Sequence, residues 1–323
     1  MIDINKITDY LSERVSDPVP TYILVREIYK ESPTSPRYAS AYGAVKQSKW
    51  YRGLVGEQWA DGSWGRFHSQ DSKAVKKQKY ATTEAALRRA RELSLAKDDP
   101  AIAKCIAKME RYVREEETWP DSVEKHKDNG KSHMFCRPFL TAANIHIFDP
   151  ENPVIQPLRD VVVRNLTAAF AGGSFDKEFW GRQCREYVVS DITAPGTLYN
   201  SMLLQGANID DDLQRQLLNY IWGISNGIYY VSSVPPAEKQ NLEDKRFDEW
   251  LRTLELLSGF SLFHEFARED VRGHLLCEVE RLINDDNNNI ACNFTCRYSE
   301  NWRDKSKSKF DLVLRILRLL MKS

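Results

Sequence analysis

The segment Gln58-Trp59-Ala60-Asp61-Gly62-Ser63-Trp64-Gly65 constrains this chain more than any other. Asp61-Gly62 signals a tight reversal, because glycine enters backbone angles closed to other residues. Trp59 and Trp64 flank the reversal with large flat surfaces, and the Gln58 amide can bond a backbone group left over at a helix end. Such a turn is rigid, and helical patterns lie on both sides of it. Two further aromatic anchors follow at nearly constant spacing. Trp119, in Glu117-Thr118-Trp119-Pro120, lies 55 residues beyond Trp64, and Phe175, in Gly172-Gly173-Ser174-Phe175, lies 56 beyond Trp119. A fixed period of this size marks stacked helical pairs.

Helical periodicity carries the rest of the chain. Residues 4–15 and 21–30 read as helices, the first with Ile4, Ile7, Tyr10 and Leu11 on one face, punctuated by Asp17-Pro18 and Ser32-Pro33. A helix over 36–55 leads into the turn, and a polar, basic loop over 65–79 (Lys73, Lys76, Lys77, Lys79) follows as solvated loop or as a lid. Thr82 or Thr83 caps a helix over 82–95, and Asp98-Asp99-Pro100 caps the next, whose apolar stripe is Ile102, Cys105, Ile106, Met109, Tyr112 and Val113. Further helices are expected over 132–147, 155–171, 176–189, 198–204, 210–224, 244–257, 268–283 and 305–322. No stretch alternates with period two. The expected class is therefore all-α.

The Gln58, Gly62 and Trp64 spacing resembles the Q-x-x-x-G-x-W repeat of squalene-hopene cyclases and related prenyltransferase-like proteins. Arg52-Gly53 stands where that repeat usually has a basic-small pair. The succession Thr-Thr-x-Ala-Ala-Leu, Asp-Asp-Pro and an amphipathic helix is also similar to one repeat of the terpenoid-cyclase toroid. The resemblance covers 36–175 and blurs beyond 190. It implies one α/α-toroid domain over 1–323, with inner and outer rings of helices. It also implies a central cavity for an isoprenoid or other apolar small molecule. The family's D-x-D-D acid is missing: Asn208-Ile209-Asp210-Asp211 has asparagine in the key place, and Asp210 to Asp212 read equally as the acidic opening of a helix. Asp285-Asp286-Asn287-Asn288-Asn289 lacks the last acid of a magnesium-binding D-D-x-x-D. The alternative is a toroidal binding protein without chemistry.

In that ring, inner-helix ends line the cavity mouth. His133 and Arg137, four apart and so on one helix face, are candidate catalytic residues with Glu186 and Tyr187, and Tyr80, Glu84 and Arg182 would complete the pocket. The plainer account of His133 and Arg137 is structural bridging between helices. The clusters Cys292-x-x-x-Cys296 and His264, His274 and Cys277 lack zinc spacing, so neither metal nor cofactor is expected. Forty-six basic and forty-six acidic residues cancel, which argues against nucleic acid as a partner. The start, Met1-Ile2-Asp3-Ile4-Asn5, shows no secretory signal, and six scattered cysteines suit a reducing cytoplasm. The tail 305–322, basic and amphipathic, reads as a ring-closing helix or as a membrane-surface contact.

Overall fold

The computed structural model describes residues 2–68, 78–121, 131–285 and 296–322. Helices make up 60% of the chain, and the described residues contain no strand. The protein is all-α. It divides into two compact units: Met1–Gly53 with Glu92–Ser94 and Ser232–Ser323, and Leu54–Arg91 with Leu95–Val231. No described helix is long and apolar enough to cross a membrane.

The first unit is built on α1 (Ile4–Arg14), α2 (Pro18–Ile23), α3 (Pro36–Gln47), α12 (Phe247–Leu257), α13 (Phe263–Asn284) and α14 (Lys305–Leu320). Asp3 caps α1 through Lys6 N–H, and the helix buries Ile7 and Leu11 one turn apart, facing α14. The helix expected over 21–30 starts earlier, at Pro18, and widens into a π-helical turn over Leu24–Ile28. The run expected over 36–55 is two helices, α3 and α4 (Lys49–Gly56). Ser48 adopts an extended ψ of 150° and its hydroxyl accepts from Tyr51 N–H, which ends one helix and starts the next. Asp304 caps α14, whose Leu312 to Leu317, Leu319 and Leu320 are buried against α1, α12 and α13. The apolar face that a membrane surface would need is thus occupied by core.

Charge is buried with that face. The Arg315 guanidinium, 1% exposed, bonds Asp248 at 2.6 Å and grips both Glu255 oxygens at 2.8 and 2.9 Å. Arg318 forks onto Glu27 at 2.8 and 2.9 Å and donates to the Tyr298 hydroxyl at 2.8 Å. Asp311 accepts from the N–H groups of Tyr298 and Ser299, the Ser299 hydroxyl and the Trp302 indole. A planar guanidinium between two carboxylates is the geometry that makes a desolvated charge tolerable.

The second unit holds the aromatic-flanked turn and α5 (Thr83–Glu92), α6 (Pro100–Val113), α7 (Lys131–His146), α8 (Gln156–Phe170), α9 (Lys177–Arg185), α10 (Leu198–Leu204) and α11 (Asp211–Trp222). Asp99 and Asp210 cap α6 and α11, so Asp210 is engaged by the N–H groups of Asp212 and Leu213. Within the unit α7 packs on α6, α8 and α10, and α8 on α9 and α11. The helix expected over 176–189 is the shorter α9, and Tyr187 follows it at φ +57°.

Each part of the turn is accounted for. Gln58 donates to the carbonyls of Gly62 (2.9 Å) and Ala101 (2.8 Å), joining the turn to the first turn of α6. Gly62 has φ +95°, and a Cβ there would sit 2.5 Å from the Lys104 carbonyl oxygen. Trp64 is fully buried, and its indole donates to the Leu54 carbonyl near the end of α4. Trp119, between α6 and α7, is also buried; it stacks on Phe67 at 4.3 Å and donates to the Thr141 hydroxyl. Phe175, between α8 and α9, is half-buried among Phe170, Trp180 and Tyr220. The three anchors each lie in a connection between helices, with different partners.

Candidate acid–base site

Downstream of the turn the chain delivers His68 to Glu84. Two sets of backbone bonds fix the approach. The N–H groups of Thr83 and Glu84 donate to the carbonyls of Arg66 and Phe67 at 2.7 and 3.2 Å. The Asp121 carboxylate then takes the N–H groups of Phe67 (2.6 Å) and His68 (2.8 Å), one on each oxygen. Stacking of Phe67 on Trp119 holds the same strand of chain from the side. The position of His68 is therefore set before its side chain makes any contact.

His68 Nδ1 lies 2.5 Å from Glu84 Oε2, with both side chains mostly shielded from solvent. The second carboxylate oxygen, Oε1, accepts from Asn144 Nδ2 at 3.0 Å, and that amide also donates to the Leu140 carbonyl. The buried Tyr199 ring brings its hydroxyl 3.5 Å from His68 Nδ1 and hydrogen-bonds Glu84. Burial pushes the Tyr199 phenol far up, and the neighbouring Glu84 charge and hydrogen bond push it further, so it stays a neutral donor. Glu84 comes from α5, Asn144 from α7 and Tyr199 from α10. With Nδ1–H assigned to the Glu84 bond, Nε2 carries the basic lone pair. A carboxylate behind an imidazole fixes its tautomer and stabilises the imidazolium that forms when Nε2 takes a proton.

On the outer side stand Tyr229 and Tyr230, 62% and 54% exposed. The Tyr230 ring is 6.2 Å from His68 and 5.8 Å from Tyr199. Paired backbone bonds hold this doublet: Leu198 N–H to the Tyr229 carbonyl at 3.0 Å, and Tyr229 N–H to the Gly196 carbonyl at 2.9 Å.

Of the residues singled out from sequence, Glu84 is at the centre. Tyr80 is buried, with its N–H on the Glu57 carboxylate and Lys79 Nζ 5.5 Å over its ring. Arg137 lies over the Trp119 ring at 5.6 Å. Arg182, Glu186 and Tyr187 are exposed on and after α9; Arg182 covers Phe179 and Tyr187 meets Phe135. None of these contacts involves the His68 cluster. His133 belongs to α7, and its side chain falls outside the described residues, as do Lys73, Lys76, Lys77, Cys292 and Asp286 to Asn289. His68, Asn144, Tyr199 and the Tyr229-Tyr230 doublet carry no periodic signal. The one available hint was a lone histidine four residues after Trp64 in a chain of six histidines.

Other chemistry has less support. Among the described residues no group of three or more His, Cys, Asp or Glu side chains could hold a metal ion. Burial pushes the Cys105 thiol up, and burial, aided by Asp191, takes Cys184 up to about 11, so neither is a ready thiolate at neutral pH. Comparison with protein-family models, with curated proteins and with solved structures gave no match.

Proposed function

We propose that the second unit is a small-molecule enzyme in which His68 Nε2 exchanges a proton with substrate. In this reading Glu84 orients the imidazole, Asn144 holds Glu84, and Tyr199 supplies a neutral hydrogen-bond donor. One observation carries it: three helices well apart in the chain converge on one imidazole–carboxylate pair, Glu84 and Tyr199 meeting the His68 ring and Asn144 holding the far oxygen of Glu84. The pair is mostly shielded from water and bordered by exposed aromatic rings, the apolar setting with a few convergent polar groups that small-molecule sites have.

The scaffold we propose is the α/α toroid that the turn resembles, with α5, α7 and α10 as inner helices and α6, α8 and α11 as outer ones. The packing of α7 on α10 and of α8 on α11 supports that layering. The substrate class follows from it: an isoprenoid or other small molecule with a large apolar part. Engagement of Asp210 in capping α11 counts against protonation by that carboxyl, so the chemistry proposed is led by a base.

Incubating the full chain with farnesyl, geranylgeranyl and squalene-type substrates, with products read by mass spectrometry, tests this. His68→Gln is expected to lower turnover by about 100-fold or more, the usual worth of a positioned base, with little change in thermal unfolding. Turnover unchanged in that variant would sink the assignment. A co-purified ligand seen in the native mass spectrum, together with inertness toward every substrate, would make the protein a binder.

A further inference from the structure

We infer that the site takes a planar aromatic carboxylate, its ring laid on Tyr229-Tyr230 and its carboxylate held by Arg88. The inference rests on placing the site at His68 and, within small molecules having a large apolar part, takes aromatic acids over isoprenoid diphosphates.

The first observation is backbone geometry. Tyr230 has φ +67°, a region in which a bulky side chain is a genuine outlier. Such strain persists where the surroundings over-determine it, and it concentrates at ligand clamps. The surroundings here are the bond from Val231 N–H to the Ile228 carbonyl, which closes the turn containing Tyr230, and the two bonds that tie the preceding Tyr229 to Gly196 and Leu198. They hold in solvent two rings that ordinary packing would bury, at a centroid separation of 4.2 Å. Tyrosine faces fixed in this way give a large contact area at little entropic cost, because nothing remains to be ordered on binding.

The second observation is an uncommitted charge. Arg88 lies one turn beyond Glu84 on α5, so both project from one helix face. It is exposed, and the one-turn spacing from Glu84 sets it at the edge of the same cluster. It makes no ion pair, hydrogen bond or ring contact with any described residue. A guanidinium fork matches a carboxylate in two parallel bonds. Glu84 behind it opposes a dianion, so one arginine beside one carboxylate favours a monoanion over a phosphate. Flat rings, the Arg88 cation and a proton acceptor together select an aromatic or ring-conjugated acid.

Titration calorimetry on the full chain with cinnamate, its neutral amide and benzyltrimethylammonium separates the parts of this claim. Cinnamate is expected to bind in the millimolar range or better, at least about tenfold more tightly than either of the other two, since a charge-assisted bond is worth roughly 1.5–3 kcal/mol. Arg88→Gln, at an exposed position, should remove that preference and leave the amide unchanged. Tyr230→Ala should weaken cinnamate and amide alike. Equal binding of cinnamate by wild type and Arg88→Gln, preference for the ammonium, or no cinnamate binding at millimolar concentration overturns the inference, and each leaves the His68 turnover test standing. Arg88-dependent cinnamate binding in a protein whose turnover ignores His68→Gln would uphold the ligand class and remove the reaction.

Discussion

Two polar clusters of similar composition have opposite characters. In the first unit Arg315, Asp248 and Glu255, with Arg318, Glu27 and Asp311 on or beside α14, form a closed set in which each charge is answered at hydrogen-bond distance. In the second unit Glu84, His68, Asn144 and Tyr199 are joined to one another, with the strained Tyr230 and its exposed neighbour Tyr229 beside them. Buried polar atoms with no hydrogen-bond partner among the described residues are concentrated in the second unit, among them Arg137 Nε, His146 Nδ1, Trp180 Nε1, Ser201 Oγ and Gln205 Nε2, against Arg252 Nε in the first. A satisfied network makes one packing unique. An incompletely satisfied one costs stability, and proteins tend to keep such sites where something has to bind or react.

The largest test of the contrast is Arg315→Met. It takes the shared cation from Asp248 and Glu255 and leaves Asp248 the longer ion pair with Arg252 at 3.5 Å, and the first unit should lose about 3–5 kcal/mol in urea unfolding. A loss below about 1 kcal/mol would mean that water reaches the network and that the two clusters do not differ in kind.

Gly62→Ala probes the frame that carries His68. A methyl group at φ +95°, facing the Lys104 carbonyl, should cost the second unit about 2–3 kcal/mol. An unchanged melting temperature would show the turn to be pliable.

The third effect depends on pH. Burial holds the His146 imidazole below its ordinary range, while Nε2–H donates to the Gln205 carbonyl. The unfolded chain therefore takes up this proton first. The contribution is fully present above the ordinary histidine value of about 6.5 and is lost as pH falls toward the depressed folded value, by at most about 1.4 kcal/mol per pH unit. His146→Gln should flatten that part of the stability–pH curve below about 6.5; an unaltered curve refutes the buried neutral histidine.

Smallest is Tyr230→Gly, which relieves the positive φ and should leave folding unchanged or better by up to about 1 kcal/mol while weakening cinnamate. Lower stability together with full binding would reverse the assignment of strain to function.

The amino-acid pattern disclosed the helices well, because their apolar stripes repeat every 3.6 residues and Asp99, Asp210 and Asp304 announce their starts. It passed over the break at Ser48, where a hydroxyl competes with the helix for one N–H. It placed Glu84 on the correct helix but not beside His68, since that pairing depends on Asp121 from 53 residues further on. Tyr229-Tyr230 reads as ordinary loop until Gly196 and Leu198 are seen to hold it. Arg315 and Lys309 looked like the wet face of a tail helix, and only the carboxylates of other helices reveal the former as core.

The clip joining residues 66–67 to 83–84 is made entirely of main-chain atoms. The imidazole and its carboxylate are thus two fittings on one frame, and removing one does not shift the mount of the other. His68→Gly should leave a hole of unchanged outline beside Glu84. Free imidazole added to the solution can then dock there as a prosthesis, restoring turnover in proportion to its concentration.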